Sequence, residues 1–132
     1  MSDPSLELQE ALKAALRNRI GPEVGPRVYD QVPVDAVFPY VTLGDDQVLP
    51  DKAQCIDGAE VISTLHIWSR TPGYPELKRI VKNILAVVDD NPPPLAGFVA
   101  VIFELQDINY LRDPDGLTRH AVLTFHSLIQ PS

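Results

Sequence analysis

The stretch FVAVIFELQDINYLRDPDGLTRHAVLTFHSLI (Phe98–Ile129) decides the fold. It holds two apolar, β-branched runs around Asp113-Pro114-Asp115-Gly116. That tetrapeptide is a turn with a mechanism, because proline presets φ and glycine accepts a positive φ. The first run predicts a strand from Phe98 to Leu105, continuing to Tyr110-Leu111 through a bulge at Gln106–Asp107. In the second, Leu117–Ile129, His120, Val122, Thr124 and His126 alternate with Arg119, Ala121, Leu123, Phe125 and Ser127. A two-residue period is the mark of a strand. The two strands form a long hairpin with its tip at 110–119, so the sheet is antiparallel around them.

Upstream, EVISTLHIWS (Glu60–Ser69) alternates without a purely polar side, which predicts a strand that is central or covered on both faces. Tyr40–Leu43 is a shorter strand and Val28–Tyr29 a shorter one still. Between Leu43 and the Glu60–Ser69 strand, 44–58 is polar and acidic and reads as a long connection with Val48 and Leu49 as an apolar island. Two amphipathic helices complete the set. Leu8, Ala11, Leu12, Ala15 and Leu16 give a buried stripe over about 4–20, with Asp3 as cap and Pro4 in the first turn. Leu77, Ile80, Val81, Ile84, Leu85 and Val88 do the same over about 74–89, leaving Lys78, Arg79 and Lys82 wet. The order α-β-β-β-α-β-β predicts an α+β fold: a mostly antiparallel sheet of four to five strands with two helices on one face.

The 132 residues make one domain, 1–132. Eleven Lys and Arg against 18 Asp and Glu leave a net charge of −7. That disfavours a partner held through phosphate contacts, which draws on clustered cations. The one cysteine, Cys55, excludes an internal disulfide and a cysteine-rich zinc site, and its acidic surroundings disfavour a reactive thiolate. No apolar run approaches the roughly 20 residues that span a bilayer, and the first residues carry no export signal, so no membrane partner is expected. His66, His120 and His126 have no metal-ligand spacing; His120 and His126 share a strand face with roughly 20 Å between them. They read as sheet-face histidines. Asp45-Asp46, Asp89-Asp90 and Asp113/Asp115 all neighbour turn signals, where carboxylates serve loops and caps. No catalytic residue, metal or cofactor is therefore expected. A small intracellular enzyme or ligand-binding module would need a pocket lined by His66, Asp45 or Asp46. Trp68, ending the central strand, is read as packed against the second helix rather than lining a subunit seam, and Arg70 as an exposed loop or intersubunit partner.

The order and wording of the segments resemble the phage tail-completion family, the tail terminator or head–tail joining proteins that include those of gene transfer agents. The resembling pieces are LQEALKAALRNR (Leu8–Arg19), RVYDQVPVDAVFPYVTLGDD (Arg27–Asp46), HIWSR (His66–Arg70), LKRIVKNILAVVDD (Leu77–Asp90) and YLRDPDGLTRHAVLTFH (Tyr110–His126). Between Gly44 and the strand ending in WSR the wording departs from the family. The resemblance implies a structural virion protein with no catalytic residue. It implies a homo-oligomeric ring, a hexamer, at the head-proximal end of the tail tube, halting tube growth and joining tail to head. Its partners would be the tail-tube protein and a head–neck connector protein, with DNA passing through without specific binding. Tyr40, Val41, Leu43 and Trp68 map to fold-defining positions.

Elementary physics permits that role. A 132-residue domain has a radius of gyration of about 14 Å, too small to enclose a duplex alone. Cyclic assemblies use two dissimilar patches per subunit. The 44–58 connection, with Val48 and Leu49, and the hairpin tip, with Tyr110, Arg112, Asp113 and Asp115, are the natural protrusions for such patches, and Arg70 joins them. Acidic walls also repel phosphate. A tail-tube or head–neck connector subunit is the alternative within the same class.

Overall fold

β4 (Phe98–Arg112) and β5 (Arg119–Pro131) pair antiparallel along their whole length. The computed structural model describes residues 2–51 and 57–132. Pairing jumps from Leu105↔Phe125 to Asp107↔Thr124, so the bulge expected near Gln106–Asp107 is present. A second irregularity between Ala100 and Ile102 leaves Val101 exposed. At the tip, the Gly116 N–H donates to the Asp113 carbonyl at 3.1 Å, and Gly116 sits at φ +73°.

The remaining elements, in chain order, are α1 (Ser5–Leu16), β1 (Val28–Tyr29), β2 (Tyr40–Asp51), β3 (Gly58–Ser69) and α2 (Pro75–Val88). The five strands form one sheet in the order β1-β2-β3-β5-β4. Only β1 and β2 run parallel, so the sheet is mixed and the α+β expectation holds with β3 at its centre. Alternation then assigns the faces. Val41, Val61, Leu65, Ile67, Ala121, Leu123, Phe125 and Phe103 point to one side and are fully buried. They meet Leu8, Leu12 and Leu16 of α1 and Leu77, Ile80, Val81, Ile84 and Val88 of α2 in a single core. Burying a side chain of this kind is worth about 1.5–3 kcal/mol, so the helix side of the sheet carries most of the stability.

Three expectations need correction. The acidic 44–58 stretch is not a loop up to Asp51: β2 continues, with Asp46–Asp51 paired to Ser63–Gly58 across an irregularity that absorbs Gly44 and Asp45. Backbone pairing to β3 overrides polar composition, because one side of the strand faces water and tolerates polar residues. Residues 52–56, Cys55 among them, lie outside the described residues. The first helix ends at Leu16, not near residue 20, because Arg17 turns extended and Asn18 enters the left-handed region at φ 61°. Asn18 there donates its N–H to the Gly25 carbonyl at 2.9 Å. Pro4 is the cap residue, while the Asp3 carboxylate accepts the Ser5 N–H at 2.9 Å. Finally, Trp68 does not pack on α2. With Ile67 and Ser69 buried toward the helices, the two-residue period turns the indole to the opposite face. That face has no covering layer among the described residues, so β3 is central but covered on one side only.

Candidate functional site

The open face is built from alternate residues of four strands. One transverse row reads Tyr40 (β2), Trp68 (β3), His120 (β5) and Leu111 (β4), all directly opposed across the pairing. The next row places Thr42, His66, Val122 and Asn109. Cross-strand neighbours sit about 4.5–5.5 Å apart, so large rings in adjacent rows must touch. The Trp68 and His120 rings lie 3.8 Å apart at 11°, and the His66 and His120 rings 5.0 Å apart at 26°. Tyr40 extends the chain of rings to Phe38 (4.9 Å) and Tyr29 (5.9 Å). The Trp68 indole N–H donates to Thr42 Oγ1 at 3.2 Å.

Gly44 makes room for this arrangement. A Cβ there would meet Thr64 Oγ1 at 2.4 Å and the His66 ring at 2.6 Å, so the imidazole crosses β2 only where a side chain is missing. His66 Nδ1 and His120 Nε2 are then 2.7 Å apart, a hydrogen bond that needs a proton on one nitrogen and a lone pair on the other. Burial pushes the His66 pKa below its usual value, against the pull of Asp45. Burial and then the His66 neighbour lower that of His120, against Asp113 at 3.7 Å. Both effects keep the pair uncharged at neutral pH. At the other end of the face, His126 lies between two carboxylates, Glu60 Oε1 at 3.1 Å and Glu104 Oε1 at 3.4 Å.

The residues singled out from sequence fall into separate places. Tyr40, Trp68, Arg70 and Asp113 come together at the end of the open face nearest the hairpin tip. Arg70 donates from Nε to Thr118 Oγ1 at 3.1 Å and covers the Phe38 ring at 4.3 Å, so it serves as a loop partner within the chain. Asp115 accepts from the N–H groups of Leu117 and Thr118 and from the Thr118 hydroxyl; these bonds hold its pKa down at about 2. Arg112 is exposed on the same tip. Tyr110 points the other way, edge-on to Tyr74 at 6.3 Å with Lys78 over its ring at 5.1 Å. Val41 is in the core, Leu43 and Val48 pack against it, and Leu49 is exposed on the open face at the far end of β2.

The sequence reading missed the His66–His120 contact, although its signal was present: His66, Trp68 and His120 each occupy the face opposite the helix-facing residues, and only the register was lacking. Among the described residues no group of three His, Cys, Asp or Glu is placed to hold a metal ion, and no helix is long and apolar enough to cross a membrane. Two hollows lie away from the histidines: one is lined by Ala11, Ala14, Ala15, Arg19 and Pro94, the other by Pro92–Leu95 and Phe98–Ala100.

Comparison with known proteins adds to the geometry. The model of the family described as "Tail completion protein gp17" matches residues 7–130. The "Tail completion protein gp17" of Bacillus phage SPP1 is 27% identical over 89 residues, which is 67% of this chain and 66% of that protein's length. A chain from the structure "Virion of native gene transfer agent (GTA) particle" superimposes with a TM-score of 0.87 at 21% identity, over 98% of this chain and 99% of that one. At that identity the likeness is one of fold.

Proposed function

The chain belongs to the Tail completion protein gp17 family, and from that premise we propose that it assembles as a ring, a hexamer, at the head-proximal end of a phage-type tail tube. The ring ends tube polymerisation and joins the tail to a head–neck connector protein. Family membership makes the chain a structural protein of a tail and supports a non-enzymatic role. It works as a repeated building block in the virion, with surfaces in place of an active site.

One observation carries this reading: a small domain with two dissimilar faces, one sheet face sealed by helices and the other open with Tyr40, Trp68, Ile62, Val122 and Leu128 only half-buried. A sheet face rich in apolar side chains and left uncovered in a monomer marks a contact surface. The GTA virion chain of the same fold supports it further. The net charge of −7 suits a conduit that lets DNA pass without holding it. The hairpin tip, with exposed Arg112 and Asp115, and the loop carrying exposed Val34 and Val37 are the protrusions available to tube and connector.

Electron microscopy of the purified protein incubated alone tests the ring. Closed rings of uniform diameter are expected, capping tubes when tail-tube protein is added. Open tubes made by this chain alone would assign it to the tube instead, since a tube subunit must propagate without limit.

A further inference from the structure

One transverse row crosses all five strands: Val28 (β1), Val41 (β2), Ile67 (β3), Ala121 (β5) and Tyr110 (β4). Two rows further toward the same end, Ser69, Arg119 and Arg112 oppose one another. Here the β4 edge gathers cations around rings. Lys78 Nζ stands 5.1 Å from the centre of the Tyr110 ring and 5.8 Å from that of Tyr74, and the Arg119 guanidinium 5.5 Å from Tyr74. Arg112 lies directly opposite Arg119, and like charges so placed weaken a strand pair. The Arg119 Nε is buried and has no acceptor in the chain. Among the described residues no carboxylate is within salt-bridge distance of Lys78, Arg112 or Arg119, the ion pairs there being made by His120 and His126. The carboxylates at this end are engaged elsewhere. Glu76 accepts the Ser69 hydroxyl at 2.8 Å, Asp113 borders His120, and Asp115 takes the donors of the tip.

The opposite edge carries the complement at the same end. The loop 30–38 leaves β1 after Tyr29 and returns toward β2 before Tyr40, with Asp30, Val34, Asp35 and Val37 exposed. The two arginines beside it do not compensate its carboxylates. Arg27 donates to the carbonyls of Pro39 and Glu23, and Arg70 is held by Thr118 and the Phe38 ring. Val34, Leu117 and Val37 are the most exposed large apolar side chains described. Two are on this loop, and Leu117 is two residues before Arg119.

On the ring reading above, we infer that the 30–38 loop of one copy docks on the Lys78, Arg112 and Arg119 cluster of the next. Asp30 and Asp35 meet the cations, and Val34 and Val37 meet Leu117 and the rings of Tyr74 and Tyr110. Tyr and Arg are the side chains that interfaces favour. Position selects a second copy as the partner: the two patches sit at one end of one sheet, on opposite edges. Rotation about an axis along the strands brings edge to edge at one height, the heterologous contact that closes into a ring. The neighbouring copy thereby takes the 30–38 loop, leaving the hairpin tip at Asp113–Gly116 to tube and connector.

Two charge-reversed variants test this. The cluster variant carries Lys78→Glu and Arg112→Glu; the loop variant carries Asp30→Lys and Asp35→Lys. Self-association is followed by sedimentation velocity, and folding by thermal melting, which should stay near the parent value because all four side chains are exposed. Each variant alone is expected to associate at least about tenfold more weakly than the parent protein. Mixed in equal amounts, they should recover parent-like association, because loop and cluster are then complementary at every seam of an alternating ring. A loop variant that associates like the parent overturns the inference, as does a mixture that fails to recover. Duplex-DNA binding by the parent that the cluster variant loses, with association unchanged, would assign the cations to phosphate and overturn it too. In each of these cases a parent protein that closes rings leaves the ring reading standing and refutes only this seam. A parent protein that stays monomeric, alone and with tail tubes, refutes the ring reading, and the seam falls with it.

Discussion

The indole of Trp68 lies flat on the imidazole of His120, with ring centroids 3.8 Å apart and the planes 11° from parallel, on the side of the sheet away from both helices. The contact joins β3 to β5 without adding to the core, so its loss should be felt in assembly before it is felt in folding.

Trp68→Ala is therefore expected to cost about 1–2 kcal/mol of stability, the scale of a half-buried ring and one stacking contact. Phe125→Ala, in the core against Phe103 at 4.9 Å, should cost about 3–5 kcal/mol. Chemical denaturation of the two variants gives the comparison. Equal losses would place Trp68 among the load-carrying core residues and contradict the face assignment.

Gly44 has a different kind of importance. Gly44→Ala drives a methyl into Thr64 and the His66 ring and should destabilise by about 1–3 kcal/mol through overpacking. The amide and ring signals of His66 and His120 should shift together in a heteronuclear NMR spectrum. An unperturbed His120 would show that the two imidazoles are not coupled through this site.

Two groups oppose each other in the pH dependence of stability. His66 and His120 have folded pKa values lowered below 6.5, so the unfolded chain takes up protons first on acidification. Their contribution is full above about pH 6.5 and is lost as the pH falls below it. Asp46 behaves the other way. Its carboxyl still reaches solvent, yet reduced hydration, then the charges of Asp45 and Asp3, push its pKa up to about 6. The folded chain keeps that proton longer, so stability is lost as the pH rises from about 4 to 6. In urea midpoints measured from pH 4 to 8, Asp46→Asn should exceed the parent at pH 7 and converge with it near pH 4. His120→Phe should flatten the fall below pH 6.5. Curves parallel to the parent's in both variants would contradict these assignments.

The hairpin tip is held by Asp115. Asp115→Ala removes the acceptor for three donors on Leu117 and Thr118 and should speed amide exchange at those two positions. Core amides such as those of Leu65 and Leu123 should keep their protection. Because the Asp115 pKa is about 2, the tip should stay closed down to about pH 3. Slow exchange at Leu117 and Thr118 in the variant would show that the turn closes without this carboxylate.

The comparison of sequence with structure turns on which signals are local. The turn at Asp113–Gly116, the bulge near Gln106 and the stripe of α2 were legible because each is dictated by a few neighbouring residues. β2 beyond Leu43 was not, since Asp45, Asp46 and Gln47 are strand residues only by virtue of pairing with β3. The side taken by Trp68 is not legible, because a strand without a polar face gives no sign of which side the helices choose. The same missing register hid the His66–His120 contact. Arg70 reads from sequence as a loop or intersubunit partner, and its contacts with Thr118 and Phe38 are of the first kind, whereas Tyr110 sits with Tyr74 and Lys78 because β4 alternates through its bulge.

Electron microscopy of particles assembled without this chain measures most directly whether it completes a tail. Overlong tails detached from DNA-filled heads are the expected result, with normal tails restored when the purified protein is supplied during assembly. Tails of normal length already joined to filled heads would contradict the role proposed for this protein.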